Sequence, residues 1–286
     1  MTYAFPPIAL PTLPIRGSDK LFPIHRIYCV GRNYADHAVE MGHDPNKEPP
    51  FFFQKNADNA ATDGRFPYPA ASTDVHFEIE LVVALKSGGV DIEPADAMKH
   101  VFGYAVGIDM TRRDLQAEAK RLQRPWEVGK AFEHSAPCSS LVPAQHVENP
   151  NQGAIWLDVN GERKQSGNLN QMIWDIPHQI AFLSGLFALM GGDLIFTGTP
   201  AGVGATKRGD RLMGHIDGIG DLEVSVVLAR GPCGARARRQ KPAGSPCTEP
   251  RHGPSHSPQT TSAPAAPMSR IGSRAKAAGR ARCKHR

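Results

Sequence analysis

Two glutamates, Glu78 and Glu80, stand two residues apart at the head of the apolar run HFEIELVVAL, residues 76–85. In a strand, positions i and i+2 share a face, so the two carboxylates point the same way as His76, while Phe77, Ile79 and Leu81 take the other side. Like charges held about 7 Å apart repel in a low dielectric, so burying both demands a cation or a shared proton. A hard divalent metal is the simplest partner, and Asp109, closing the run GYAVGID, supplies a third oxygen ligand at a comparable strand end. On the residues alone, a solvent-facing acidic strand face stays open as the alternative.

A second constellation lies in GRNYADHAVEMG, where His37 and Glu40 are neighbours at i, i+3 on a helix. A carboxylate beside an imidazole raises its basicity and fixes its tautomer, as a general base for water requires; a solvated surface pair has the same spacing. Lys130, alone among glycine, aromatic and apolar residues in WEVGKAFEHSAP, is either a surface lysine or a cation for a developing anion. TGTPAGVGATKRGD is glycine-rich but lacks the GK[ST] ending of a phosphate loop, and Lys207 stands where a dinucleotide fingerprint needs its last glycine. Nucleotide binding is rejected, and the backbone amides with Thr199 are read as anion holders.

These residues need strands to carry them. HRIYCVGRNY reads as a strand entering a glycine turn, YADHAVEMG as a polar helix with Gly42 beyond its end, and EPPFFFQK as a buried strand. HFEIELVVAL passes from alternating to continuously apolar, as a strand entering a two-sided core does, with HVFGYAVGID as its partner. TRRDLQAEAKRLQR is a helix with Thr111 as candidate cap, stopped by Pro125. Asn160-Gly161 is the strongest hairpin signal in the chain. DIPHQIAFLSGLFALMGGD is a helix capped by Asp175, with Ile180, Leu183, Phe187 and Met190 at helical spacing and a glycine stop. Three more strand-and-turn segments follow, giving a strand-rich mixed α/β chain with three helices and neither βαβ rhythm nor repeat.

The 286 residues suffice for a sizeable core, and the net charge of +5 is unevenly spread. Residues 230–286 hold thirteen Lys/Arg against one acid, Glu249, a balance of +12, so residues 1–229 carry −7. That tail has one Ile and no Leu, Val or aromatic residue, too little apolar surface to offset its ordering entropy, and is expected to be disordered. It reads either as an unselected extension or as a salt-sensitive nucleic-acid or membrane-surface arm; the acidic body without a recognition motif argues against nucleic acid. The proline-rich residues 1–23 read as a loose arm, with 24–229 as the catalytic body. No run of eighteen apolar residues occurs, the amino terminus has no signal-peptide pattern, and the five cysteines, Cys29, Cys138, Cys233, Cys247 and Cys283, form no CxxC pair. A soluble protein of a reducing cytoplasm, with no membrane partner, is expected.

Taken in order, RIYCVGRNYADHAVEMG, HFEIELVVAL, GYAVGIDMTRRDLQ, WEVGKAFEHSAP and LIFTGTPAGVG resemble the motif series of the fumarylacetoacetate hydrolase family over residues 24–228. The chain looks most like its fumarylpyruvate hydrolase and acylpyruvase branch. The resemblance implies a β-sandwich or β-roll catalytic domain, a homodimer, and a Mg²⁺ or Mn²⁺ site on Glu78, Glu80 and Asp109. It puts a catalytic His37-Glu40 pair on a lid over residues 33–46, and Lys130 beside it. Arg32, Asn33, Gln116 and Thr199 fall on or beside substrate-binding positions. The implied reaction is hydrolysis of a carbon–carbon bond in an acylpyruvate, fumarylpyruvate giving fumarate and pyruvate as in gentisate breakdown. Oxaloacetate decarboxylation and isomerisation of 2-hydroxyhepta-2,4-diene-1,7-dioate belong to the same superfamily, so the metal trio alone does not choose the reaction. One departure stands out: QKNADNAATDG has Asn56 where relatives carry proline, which puts the local pocket wall in question.

Overall fold

The computed structural model describes residues 2–40 and 49–229. The end of the helix read at residues 34–42, the lid beyond residue 40 and the 230–286 tail lie outside the described residues.

Two sheets carry the body. A six-stranded sheet runs Val142–Pro143, Val101–Ile108, Ile79–Leu85, Leu194–Phe196, Ile27–Gly31, Phe51–Lys55, and a five-stranded sheet runs Glu162–Asn168, Ala154–Val159, Arg211–Ile216, Gly220–Leu228, Arg65–Tyr68. Ile79–Leu85 is buried at every position, and its alternation is divided between two cores. Leu81, Val83 and Leu85 join Ile155, Leu157, Leu212 and Val224 of the facing sheet, while Val82 and Ala84 join Leu13, Phe22, Ile24 and Phe196 behind it. Each such aliphatic side chain contributes roughly 1.5–3 kcal/mol by leaving water, which fixes the register strongly. The expected strand pair is present: Ile79 faces Ile108 and Glu80 faces Gly107. The result is a strand-rich sandwich with a few short helices.

The acidic strand is not one strand. Val75–Phe77 belongs to a separate three-stranded sheet with Thr111–Arg112 and Gly204–Thr206, and the chain changes sheet at Glu78. The main chain at the corner stays satisfied: Glu78 O accepts from Asp109 N at 2.8 Å, and Ile79 N–H donates to Gln165 Oε1 at 3.0 Å.

Elsewhere the chain follows its turn chemistry. Asn160 and Gly161 both have positive φ (54° and 85°), as a two-residue hairpin turn of this kind requires. Asp175 Oδ1 accepts from His178 N and starts the helix Ile176–Leu186. That helix ends earlier than its apolar spacing predicts. Phe187 is extended and, like Met190, outside the helix and exposed, because the chain turns to bury Leu189 and to bring Asp193 against His25 and Arg26. Thr111 is not a helix cap: it sits in a two-residue strand, its hydroxyl turned to Lys130, and the helix Arg113–Arg121 follows without a side-chain cap. The helix also stops before Pro125, at Arg121, and Gln123 just beyond its end has φ 52°. Residues 12–24 are not a loose arm, since Thr12–Pro14 pairs with Leu21–Pro23 and buries Leu13, Phe22 and Ile24.

Candidate metal centre and cleft

The site forms where the two ligand strands end. Ligand oxygens of Glu78, Glu80 and Asp109 lie within 4.8 Å of one another, and all three residues are buried. Glu80 lies on the Val82–Ala84 face one residue inside the strand, Glu78 occupies the sheet-switching corner, and Asp109 follows Ile108 across the ladder. Gly107, opposite Glu80, has no room for a Cβ against Val82 and Phe196, which lets the strands close up behind the carboxylates.

Each carboxylate is held differently. Lys130 Nζ donates to Glu78 Oε2, Asp109 Oδ2 and Thr111 Oγ1, each at 2.7 Å. Arg113 donates to the other oxygen of Glu78, and Lys55 Nζ lies 2.8 Å from Asp109 Oδ1. Burial opposes ionisation of Glu78, but Lys130 and then Arg113 hold its carboxyl well below the usual range. Burial works against the Lys130 ammonium too, yet Asp109 and Glu78 keep it firmly protonated. Among the described residues Glu80 has a single hydrogen bond, from Gly198 N at 2.8 Å, and burial, then Asp109 and Glu78, push its carboxyl well above the usual range. Gly198 has φ 96° and sits against Asn33, so only glycine can aim that amide. Three clustered carboxylates, one of them short of a counter-charge, are the oxygen set that a hard divalent cation takes. The residues present fit such an ion.

The cleft over this cluster is lined by Arg32, His37, Phe51, Phe53, Arg113, Gln116, Lys120, Trp126, Lys130 and Thr199 together with the three carboxylates. His37 Nδ1 and Glu40 Oε2 are 3.1 Å apart, which leaves Nε2 as the second ring nitrogen, and Glu40 also accepts weakly from Gly202 N. Gln116 Oε1 accepts from Arg113 at 2.8 Å. Thr199 Oγ1 accepts from Gln165 Nε2 at 2.8 Å, and Gln165 also donates to Pro200 O. Arg32 has φ 58° and lies 5.1 Å from the Phe51 ring centroid.

Asn33 is the exception among the expected substrate contacts. It is wholly buried and does not line the cleft: its Nδ2 donates to Trp174 O and Thr197 O, and its Oδ1 accepts from Trp174 N. It ties the strand carrying Arg32 to the turn carrying Thr199. Asn33→Ala strands those three backbone groups, and roughly 2–4 kcal/mol of stability should be lost, read as a lower urea midpoint at unchanged m-value.

Sequence reasoning missed Lys55, Arg113, Lys120, Trp126 and Gln165. Lys55 carried a signal, a lone charge closing an apolar strand. Asn56, in the place of the usual proline, donates its N–H to Asn59 Oδ1 at 3.0 Å and opens a short helical turn.

The fumarylacetoacetate (FAA) hydrolase C-terminal domain family matches residues 26–227. The chain belongs to this family. A crystal structure of fumarylpyruvate hydrolase from Pseudomonas aeruginosa, in complex with Mn²⁺ and pyruvate, is 51% identical with a TM-score of 0.78, covering 79% of this chain and 100% of that one. Among other family members, the mitochondrial oxaloacetate decarboxylase of Dictyostelium discoideum is 40% identical over 208 residues, 72% of this chain and 95% of the relative. The mitochondrial oxaloacetate tautomerase of Rattus norvegicus is 42% identical over 204 residues, 71% and 92% of the two chains. Like the rest of the family this chain is an enzyme scaffold, and among the described residues no helix is long and apolar enough to cross a membrane.

Proposed function

We propose that this chain is a divalent-cation-dependent hydrolase that cleaves the carbon–carbon bond of an acylpyruvate, with fumarylpyruvate as substrate and fumarate and pyruvate as products. The observation that carries the reading is a water-activating pair, His37 with Glu40, lining the same cleft as the carboxylate trio. The 51% identity to a fumarylpyruvate hydrolase supports it.

A Mg²⁺ or Mn²⁺ ion held by Glu78, Glu80 and Asp109 would act as a Lewis acid on the 2-oxo oxygen. His37, its tautomer set by Glu40, takes a proton from water, and the hydroxide oxygen bonds to the C4 carbonyl carbon. Collapse of that adduct breaks the C3–C4 bond, leaving the electron pair on the pyruvate fragment as its enolate. Lys130, fixed by three hydrogen bonds, stabilises the enolate charge more than the ground state, and the proton held by His37 returns to carbon. Arg32, Gln116 and Thr199 are assigned to binding the acid. Closure of the segment following residue 33 would exclude bulk water.

Decarboxylation or tautomerisation of oxaloacetate is the second reading, favoured by relatives of nearly equal identity. The deciding experiment follows pyruvate from fumarylpyruvate and carbon dioxide from oxaloacetate. The hydrolase reading expects pyruvate release that a chelator abolishes and Mn²⁺ or Mg²⁺ restores. Carbon dioxide without pyruvate would move the reaction to the decarboxylase branch. The proposal also includes a homodimer, supported by exposed Phe182, Leu186, Phe187 and Met190, and a reducing cytoplasm, supported by the buried free thiols Cys29 and Cys138. Sedimentation of the full chain tests the dimer.

A further inference from the structure

Each inner cation of the cleft has a carboxylate partner: Lys55 pairs with Asp109, Lys130 lies between Glu78 and Asp109, and Arg113 pairs with Glu78, with Glu80 left for the cation. Lys120 is the surplus. It lines the same cleft, half-buried, its Nζ 4.8 Å from the Trp126 ring centroid. Among the described residues its ammonium has no ion pair or hydrogen bond. Trp126 meets Phe51 edge-on at 5.2 Å and Phe53 at 6.0 Å, so the ammonium tops an aromatic wall that runs from Lys120 toward Lys130, whose Nζ lies 5.0 Å from the Phe53 ring. A half-buried cation that is paid for by no carboxylate is a waiting anion site.

The geometry points to Lys120 as the receptor for a second, distal carboxylate of the substrate, so that the cleft selects dicarboxylic 2-oxo acids over those ending in a methyl group. This deepens the reading above and rests on a 2-oxo acid binding at the carboxylate trio. The aromatic wall would pack the carbon chain between the two ends.

Burial, then the neighbouring cations Arg113, Arg32 and Lys130, lower Lys120 to about 8, with Glu78 alone acting the other way. An alkaline limb near 8 in dicarboxylate binding is therefore assigned to Lys120. The sign is fixed by charge: the site holds an anion below about 8 and loses its grip as the ammonium deprotonates above it.

The test needs no turnover. Calorimetry of the full chain loaded with Mn²⁺ compares 2-oxoadipate with 2-oxohexanoate, acids of equal length that end in a carboxylate and a methyl group and lack the cleavable 4-carbonyl. The wild type is expected to prefer 2-oxoadipate by roughly tenfold to a hundredfold. The preference should collapse toward unity in Lys120→Met, persist in Lys120→Arg, and fade above pH 8 in the wild type but not in Lys120→Arg. A preference unchanged in Lys120→Met overturns the assignment, as does equal binding of the two acids by wild type. Failure of both acids to bind the wild type overturns the 2-oxo acid reading beneath it, a result told apart by its independence of Lys120.

Discussion

Glu80→Gln is expected to lower cation-dependent turnover by at least about 10³-fold while the apo protein unfolds no more easily than the wild type. The change is nearly isosteric, and the amide oxygen can still accept from Gly198 N. What it removes is one of three carboxylates from a charge-dependent oxygen site, and with it most of the affinity for a hard divalent ion. In the absence of the ion Glu80 is the poorly matched member, its carboxyl pushed toward the neutral form by burial and by Asp109 and Glu78, so a neutral amide in its place breaks no ion pair. The two effects separate in one measurement. A cation present at 100 times its Kd stabilises the wild type by about 2.7 kcal/mol, worth roughly 5–11 °C in Tm for a body of this size. That shift should vanish in Glu80→Gln, whose apo Tm stays level or rises. A variant that keeps the Mn²⁺-induced shift, or unfolds well below the wild type, would remove Glu80 from the ligand set.

His37→Asn is the complementary change. It keeps a polar side chain on the helix Ala35–Glu40 but removes the proton acceptor, and general-base catalysis of this kind contributes typically 10²–10⁴-fold. Fumarylpyruvate hydrolysis should fall by about that factor with the Mn²⁺-induced Tm shift retained, because His37 is not among the three grouped carboxylates. Decarboxylation of oxaloacetate breaks its bond without attack by water, so any such activity should fall far less. Equal losses in both reactions would mean that His37 does more than activate water.

The parts of this molecule that were legible in the chain are those whose signal is local. The Asn160-Gly161 turn, the Asp175 cap and the two-sided burial of Ile79–Leu85 follow from composition within a few residues. Glu78 and Glu80 were legible because charge at the head of an apolar run is conspicuous, and Asp109 because it closes one. What escaped is what the tertiary fold decides. Gln165 sits in the polar strand Glu162–Asn168, where nothing local distinguishes it from its neighbours, yet it reaches Ile79, Thr199 and Pro200. Asn33 lies in the same motif as Arg32, but spacing cannot tell a side chain that faces the cleft from one that ties two loops behind it. Thr111 has the composition of a cap; Lys130, nineteen residues away, competes for its hydroxyl and wins. Arg113 and Lys120 read as solvated helix surface until the cleft closes over them.

The order of strands in the six-stranded sheet also bears on how the protein is made. Leu194–Phe196, wholly buried, lies between Ile79–Leu85 and Ile27–Gly31 and pairs with both. It leaves the ribosome about 110 residues after Leu85, roughly 5–20 s later at ordinary rates of synthesis. Throughout that interval two apolar strands have open edges with their shared partner not yet made, the condition under which nascent chains pair with one another. Growth conditions that slow initiation, or a holding chaperone, should therefore raise the soluble yield of this protein without any change in its sequence.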